Sequence, residues 1–166
     1  MRILNPAFAG FIFYLLPIVK DTMLYLTLFF SAFISATLLP SSSEVVMVAM
    51  MTQGKVNLLL LWLAATLGNV LGSCVNYWLG TQVLRFKDKS WFPVSEQGLE
   101  KAQKQFNKYG VYSLLFAWLP IVGDPLTVIG GVFKVRFSTF LLLVTLGKGA
   151  RYLAVITLTL GVEKLI

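Results

Sequence analysis

Residues 111–133 read VYSLLFAWLPIVGDPLTVIGGVF, and their single ionisable group, Asp124, stands near the middle among Pro120, Gly123 and Pro125. So apolar a stretch suits a membrane, yet a continuous helix through it is not expected. Pro120 lacks a backbone donor, and Pro125 disfavours helical geometry at Asp124. The same pattern occurs eighty residues earlier, with Leu39-Pro40-Ser41-Ser42-Ser43-Glu44 set against Leu119-Pro120-Ile121-Val122-Gly123-Asp124. In both places Leu-Pro is followed by three residues and then an acid.

The composition agrees with a membrane setting. With 57% hydrophobic and 13% charged residues, the chain is too apolar for an ordinary soluble domain and reads as an all-α integral membrane protein. Its net charge of +7 does not imply a nucleic-acid partner, because the Lys and Arg lie mostly in short loops between apolar runs, where they set topology. Histidine is absent, which removes His-based acid–base catalysis and His metal ligands. No metal, no cofactor and no enzyme activity is expected. The lone Cys74 forbids an intrachain disulfide.

The segments follow from hydropathy. Residues 1–22 are set apart as an N-terminal apolar segment, interfacial or partly inserted, because the run 7–19 is short of a full span and contains Pro17. A signal peptide is the weaker reading, since Arg2 is the sole basic residue before the run and no small-x-small site follows. Residues 22–39 run into Pro40, three serines and Glu44, and VVMVAMM continues after them, so two apolar arms flank a polar elbow. The serines can satisfy backbone groups freed by a break at membrane depth. A helix ending in an aqueous loop at Pro40 is the alternative.

Residues 58–80 form the cleanest spanning helix, with no charge in twenty-three positions. Ala64, Gly68, Gly72, Asn76 and Gly80 recur every four, giving one face for close backbone approach. Asn69, Ser73 and Tyr77 lie beside it, as packing hydrogen bonds or as substrate lining. In the polar region 81–110, Ser95 and Glu96 begin a helix whose Leu99, Ala102, Phe106 and Tyr109 share a face, an amphipathic interfacial pattern. The last helix, 137–161, carries Lys148 and Arg151 near its midpoint on one face. A charge at helix centre costs about 2.5–3.5 kcal/mol to insert, so both should face inward.

The halves resemble each other beyond the elbows. Thr66-Leu67-Gly68 matches Thr145-Leu146-Gly147 at an offset of 79. The expected fold is therefore two re-entrant helical hairpins plus spanning helices arranged as an inverted repeat, one domain over 23–162. Repeat 1 covers about 23–80, the polar loop 81–110 and repeat 2 about 111–162. The basic central loop, with Lys134 and Arg136, puts that side in the cytoplasm. Hairpin tips meeting in the interior would present Glu44 and Asp124 to Lys148 and Arg151. Pro40, Pro120 and Gly123 would shape the backbone around the acids, and Asn69 and Asn76 would supply polar lining.

The segments SATLLPSSSEVVMVAM (35–50), GNVLGS with its following Asn and Gly (68–80), LPIVGD (119–124) and LGKGARYLAV (146–155) resemble the YqaA family of the DedA superfamily, which carries the VTT or SNARE-associated domain. The resemblance covers roughly residues 23–162, and Met23 is an alternative start. It implies a bacterial inner-membrane protein with two facing re-entrant hairpins and a role in moving lipids, phospholipid or polyprenyl phosphate, between leaflets. In the better-studied branch, acids in the first hairpin and two arginines flanking the second hairpin's proline carry function. Glu44 meets the first requirement. Ala117 and Gly123 occupy the arginine positions here, Asp124 comes next, and the positive charge lies instead at Lys148 and Arg151.

The leading expectation is thus a lipid translocase in which a headgroup phosphate meets Lys148 and Arg151, and Glu44 or Asp124 releases them by accepting a proton. Membrane lipids are the expected partners, and proton coupling and homo-oligomer formation are open. The alternatives are a proton- or ion-linked small-solute transporter and a non-transporting membrane interaction factor. An intramembrane hydrolase using the two acids has no accompanying catalytic motif.

Overall fold

The computed structural model describes residues 6–36, 42–54, 56–83, 106–120 and 122–163, together with 85 and 104. Pro40, and most of the amphipathic helix expected between 95 and 108, lie outside the described residues. Among the described residues the regular elements are all helices. They are α1 (Pro6–Ser35), α2 (Ser42–Gln53), α3 (Leu58–Val83), a π-helical turn (Phe106–Gly110) running into a 3-10 helix (Val111–Trp118), α4 (Gly123–Val132) and α5 (Phe137–Glu163).

Two helices are long and apolar enough to cross a membrane, Leu58–Val83 and Phe137–Val162. They carry the outward-facing Leu67, Leu71 and Trp78 on α3 and Leu142, Leu153 and Leu158 on α5, which suits a hydrocarbon solvent. α1 is continuous through residue 22, so the boundary placed there does not coincide with a helix end. Pro17 falls inside the helix rather than closing it.

At Asp124 the structure departs from the sequence expectation. The sequence predicts non-helical geometry at that residue, yet α4 begins at Gly123 and includes it. The first turn of a helix has N–H groups without intrahelical acceptors, so Pro125 forfeits no hydrogen bond there. The break lies just upstream. Leu119 is extended, the Val122 amide donates to the Pro120 carbonyl at 2.8 Å, and the Gly123 amide donates to Leu119 at 2.9 Å.

Contacts fix the helix directions. Side chains on Gly68 and Gly72 would strike the carbonyls of Phe29 and Phe33, so α1 and α3 run the same way. Tyr77 packs on Phe140 and the Trp62 indole donates to the Gly149 carbonyl at 2.8 Å, so α5 runs opposite to α3. α2 starts beside Arg151 and ends with Met50 and Met51 in a cluster with Leu61 and Ile156, alongside α5 and against α3. The 3-10 helix follows α5, with Leu115 at Gly147 and Trp118 at Arg151, while α4 opposes it, with Asp124 at Lys148 and Gly130 at Phe140.

The small-residue stripe of α3 serves two neighbours. A four-residue repeat advances about 400° around a helix, so each step drifts about 40°. Gly68 and Gly72 accordingly meet α1, and Gly80 meets Val128 and Gly131 of α4.

Candidate functional site

One turn of α5 gathers the charges. The Lys148 side chain is only 4% exposed, donates to Asn69 Oδ1 on α3, and pairs with Asp124 Oδ1 at 2.9 Å. Arg151 pairs through Nε with Glu44 Oε1, and its Nη1 donates to the Trp118 carbonyl at 2.8 Å. Both acids stand in the first turns of their helices, Glu44 in α2 and Asp124 in α4, where the helix dipole favours negative charge. The Trp118 carbonyl is free to accept because the 3-10 helix ends there. Arg151 therefore ties together both broken segments.

A hydroxyl closes the network. Tyr152, 1% exposed, accepts a hydrogen bond from Asn69 Nδ2 at 2.7 Å, and its oxygen lies 2.8 Å from Ser43 Oγ. A continuous path then runs Ser43, Tyr152, Asn69, Lys148, Asp124, beside the Glu44–Arg151 pair. Asn69 uses both ends of its amide, accepting from Lys148 and donating to Tyr152. Two acids face two bases, as burial of charge demands.

Sequence reasoning named Glu44, Asp124, Lys148, Arg151 and Asn69, and these meet in space. Its other residues stand elsewhere. Asn76 donates to the Ala36 carbonyl at 2.8 Å, at the end of α1 where the last carbonyls lack helical donors. Pro120 is exposed in the turn, and Gly123 is pressed against the Ala117 carbonyl, which leaves no room for a side chain. Tyr152 was missed, although it follows Lys148 by four and so shares its helix face. Among the described residues no group of three or more metal-ligating side chains forms.

The network draws on positions 43 to 152, and residues 39–160 match the VTT domain. The chain belongs to the VTT domain family. The chain is similar to the inner membrane protein YqaA of Escherichia coli: the two are 38% identical over 140 residues, 84% of this chain and 94% of that protein. An uncharacterized protein of Haemophilus influenzae is 38% identical over 139 residues, 80% of this chain and 85% of that one. An alkaline phosphatase-like protein of Lactococcus lactis is 28% identical over 128 residues, 65% of this chain and 56% of its own length. No solved structure matches. This VTT-domain chain thus falls with YqaA in the DedA superfamily, and it is an integral inner-membrane protein.

Proposed function

We propose that this VTT-domain protein moves a phosphate-bearing lipid between the leaflets of the membrane, through two re-entrant hairpins arranged as an inverted repeat. The observation that carries the reading is the convergence of Glu44 and Asp124, from two separate broken segments, on one turn of α5. A charge network at mid-membrane is expensive to maintain in a mere scaffold.

The geometry supports hairpins. α2 has 12 residues and α4 has 10, about 18 and 15 Å at helical rise against about 30 Å of hydrocarbon. Each opposes the spanning helix of its own half, and in each half the preceding arm runs with that helix. The two spanning helices oppose one another, as inverted repeats require.

In the proposed cycle a headgroup phosphate takes over the cations from their carboxylates. Arg151 offers bidentate donors and Lys148 a point charge. Proton uptake by Glu44 or Asp124 would free the cations, which couples lipid movement to protons. A hydrolase using the two acids fits less well, since both are ion-paired, Glu44 with Arg151 and Asp124 with Lys148, and no catalytic motif accompanies them. The phosphatase-like name belongs to a protein of which this chain spans about half.

The test is transfer of labelled lipid between leaflets of proteoliposomes. Glu44→Gln, Asp124→Asn and Arg151→Ala should each slow it at least about tenfold, a change of about 1.4 kcal/mol in the barrier, because the cycle needs both a cation that takes the phosphate and a carboxylate that takes the cation back. Unchanged transfer in all three defeats the reading. Ion flux or solute counterflow without lipid movement would favour the small-solute transporter, and complementation by a fully charge-neutralised chain would favour a non-transporting factor.

A further inference from the structure

Arg151 lies near the middle of α5 and keeps 19% of its side chain exposed, at a depth where a charge facing lipid is costly. What it faces is a trough of about 410 Å³ between the 3-10 helix and α5, walled by Leu115, Trp118 and Leu146. Arg151 is the charged residue of a lining otherwise built from apolar side chains and glycine. We propose that this trough holds one hydrocarbon chain of a phosphate-bearing lipid, which reaches Arg151 sideways from the bilayer. The proposal rests on the lipid reading above and locates where that lipid binds.

Two observations support it. A guanidinium has five donors, and Glu44 and the Trp118 carbonyl leave capacity for a phosphate oxygen, which planar bidentate geometry suits. An apolar wall ending in such a donor matches an amphiphile. Inorganic phosphate would gain nothing from the wall, and a neutral hydrocarbon nothing from the arginine.

The second observation is that the trough is confined to one repeat. At the offset of 79, Ala150 corresponds to Leu71, Ala154 to Val75 and Arg151 to Gly72. On α3 this face carries the bulk of Leu71 and Val75 and has no charge, and the carbonyls of Phe29 and Phe33 cover Gly68 and Gly72. On α5 the same face is trimmed to two alanines and gains an arginine. Trimming exposed positions contributes nothing to a core, whereas it makes room for a chain beside the guanidinium.

The test uses the full-length protein in proteoliposomes with a phospholipid bearing a photoactivatable group near one chain end, cross-links being mapped by mass spectrometry. Labelling should fall on Leu115, Trp118 and Leu146. The double variant Ala150→Leu/Ala154→Val, which restores what the first repeat carries, should reduce that labelling about tenfold and slow leaflet transfer in parallel. Both alanines are exposed, so the fold should tolerate the change, and Leu67→Ala, exposed on α3 and outside the trough lining, should alter neither readout. Excess inorganic phosphate should leave labelling unchanged; displacement by phosphate alone would mean a simple anion site and overturn the proposal. If wild-type protein transfers lipid while the filled trough changes neither readout, the proposal fails and translocation stands. If labelling is specific and sensitive to filling while no lipid crosses, translocation fails and the trough stands.

Discussion

Lys148 donates to Asn69, and the two residues are 79 apart, the separation that relates Thr66-Leu67-Gly68 to Thr145-Leu146-Gly147. In the inverted repeat proposed above, equivalent positions would touch where the two-fold axis passes, which is where this bond would lie. The pair is chemically unequal, a cation on one side and an amide on the other. Asn69→Leu would leave the ammonium with Asp124 alone and the Tyr152 hydroxyl without its donor. The expected loss is about 3 kcal/mol, read as a lowered denaturation midpoint in micelles. Asn69→Asp keeps an acceptor for Lys148 but adds a third carboxylate to two bases and removes the donor to Tyr152, so it should not recover the loss.

Glu44 and Arg151 join α2 to α5 with each side chain about one-fifth exposed. Their coupling should be measurable by a double-mutant cycle. Glu44→Gln and Arg151→Gln should each destabilise, and the double variant should lose about 1–2 kcal/mol less than the sum. Strict additivity would mean that the two side chains do not hold one another in the membrane.

Glycines in α3 and α5 should divide sharply. A Cβ on Gly68 would collide with the Phe29 backbone, which cannot rotate away, whereas one on Gly161 meets nothing within 4 Å. Gly68→Ala is expected to cost about 1–3 kcal/mol by forcing α1 from α3. Gly161→Ala, in the last turns of a helix, should be neutral or stabilise by up to about 1 kcal/mol. Parallel thermal melts of the two variants check this.

What the sequence made legible was periodicity and misplaced charge. Two spanning helices follow from apolar runs, and the meeting of Glu44, Asp124, Lys148 and Arg151 follows from the cost of leaving any of them in lipid. Less legible was anything decided by register between helices. A four-residue stripe looks like one face on paper, yet helical drift gives Gly72 and Gly80 to different neighbours. Asn76 reads as lining because it is polar and central, but the Ala36 carbonyl at the end of α1 claims it. Pro125 reads as a break at Asp124, though its position in a first turn costs the helix no hydrogen bond.

Tyr152 joins the halves most economically, and its hydroxyl should matter more than its ring. The ring fills buried space among Leu28, Met47 and Leu61, which phenylalanine would fill equally well. The hydroxyl alone connects Ser43 of α2 to Asn69 of α3. Tyr152→Phe should therefore cost about 1–2 kcal/mol, from one lost hydrogen bond and two polar groups left short of a partner. Adding Ser43→Ala to it should cost little more, since both act through one oxygen. If the contact also holds the first broken segment in register with Lys148, lipid transfer by Tyr152→Phe should fall even at temperatures where the variant is fully folded. Full transfer in a destabilised variant would assign Tyr152 to packing alone.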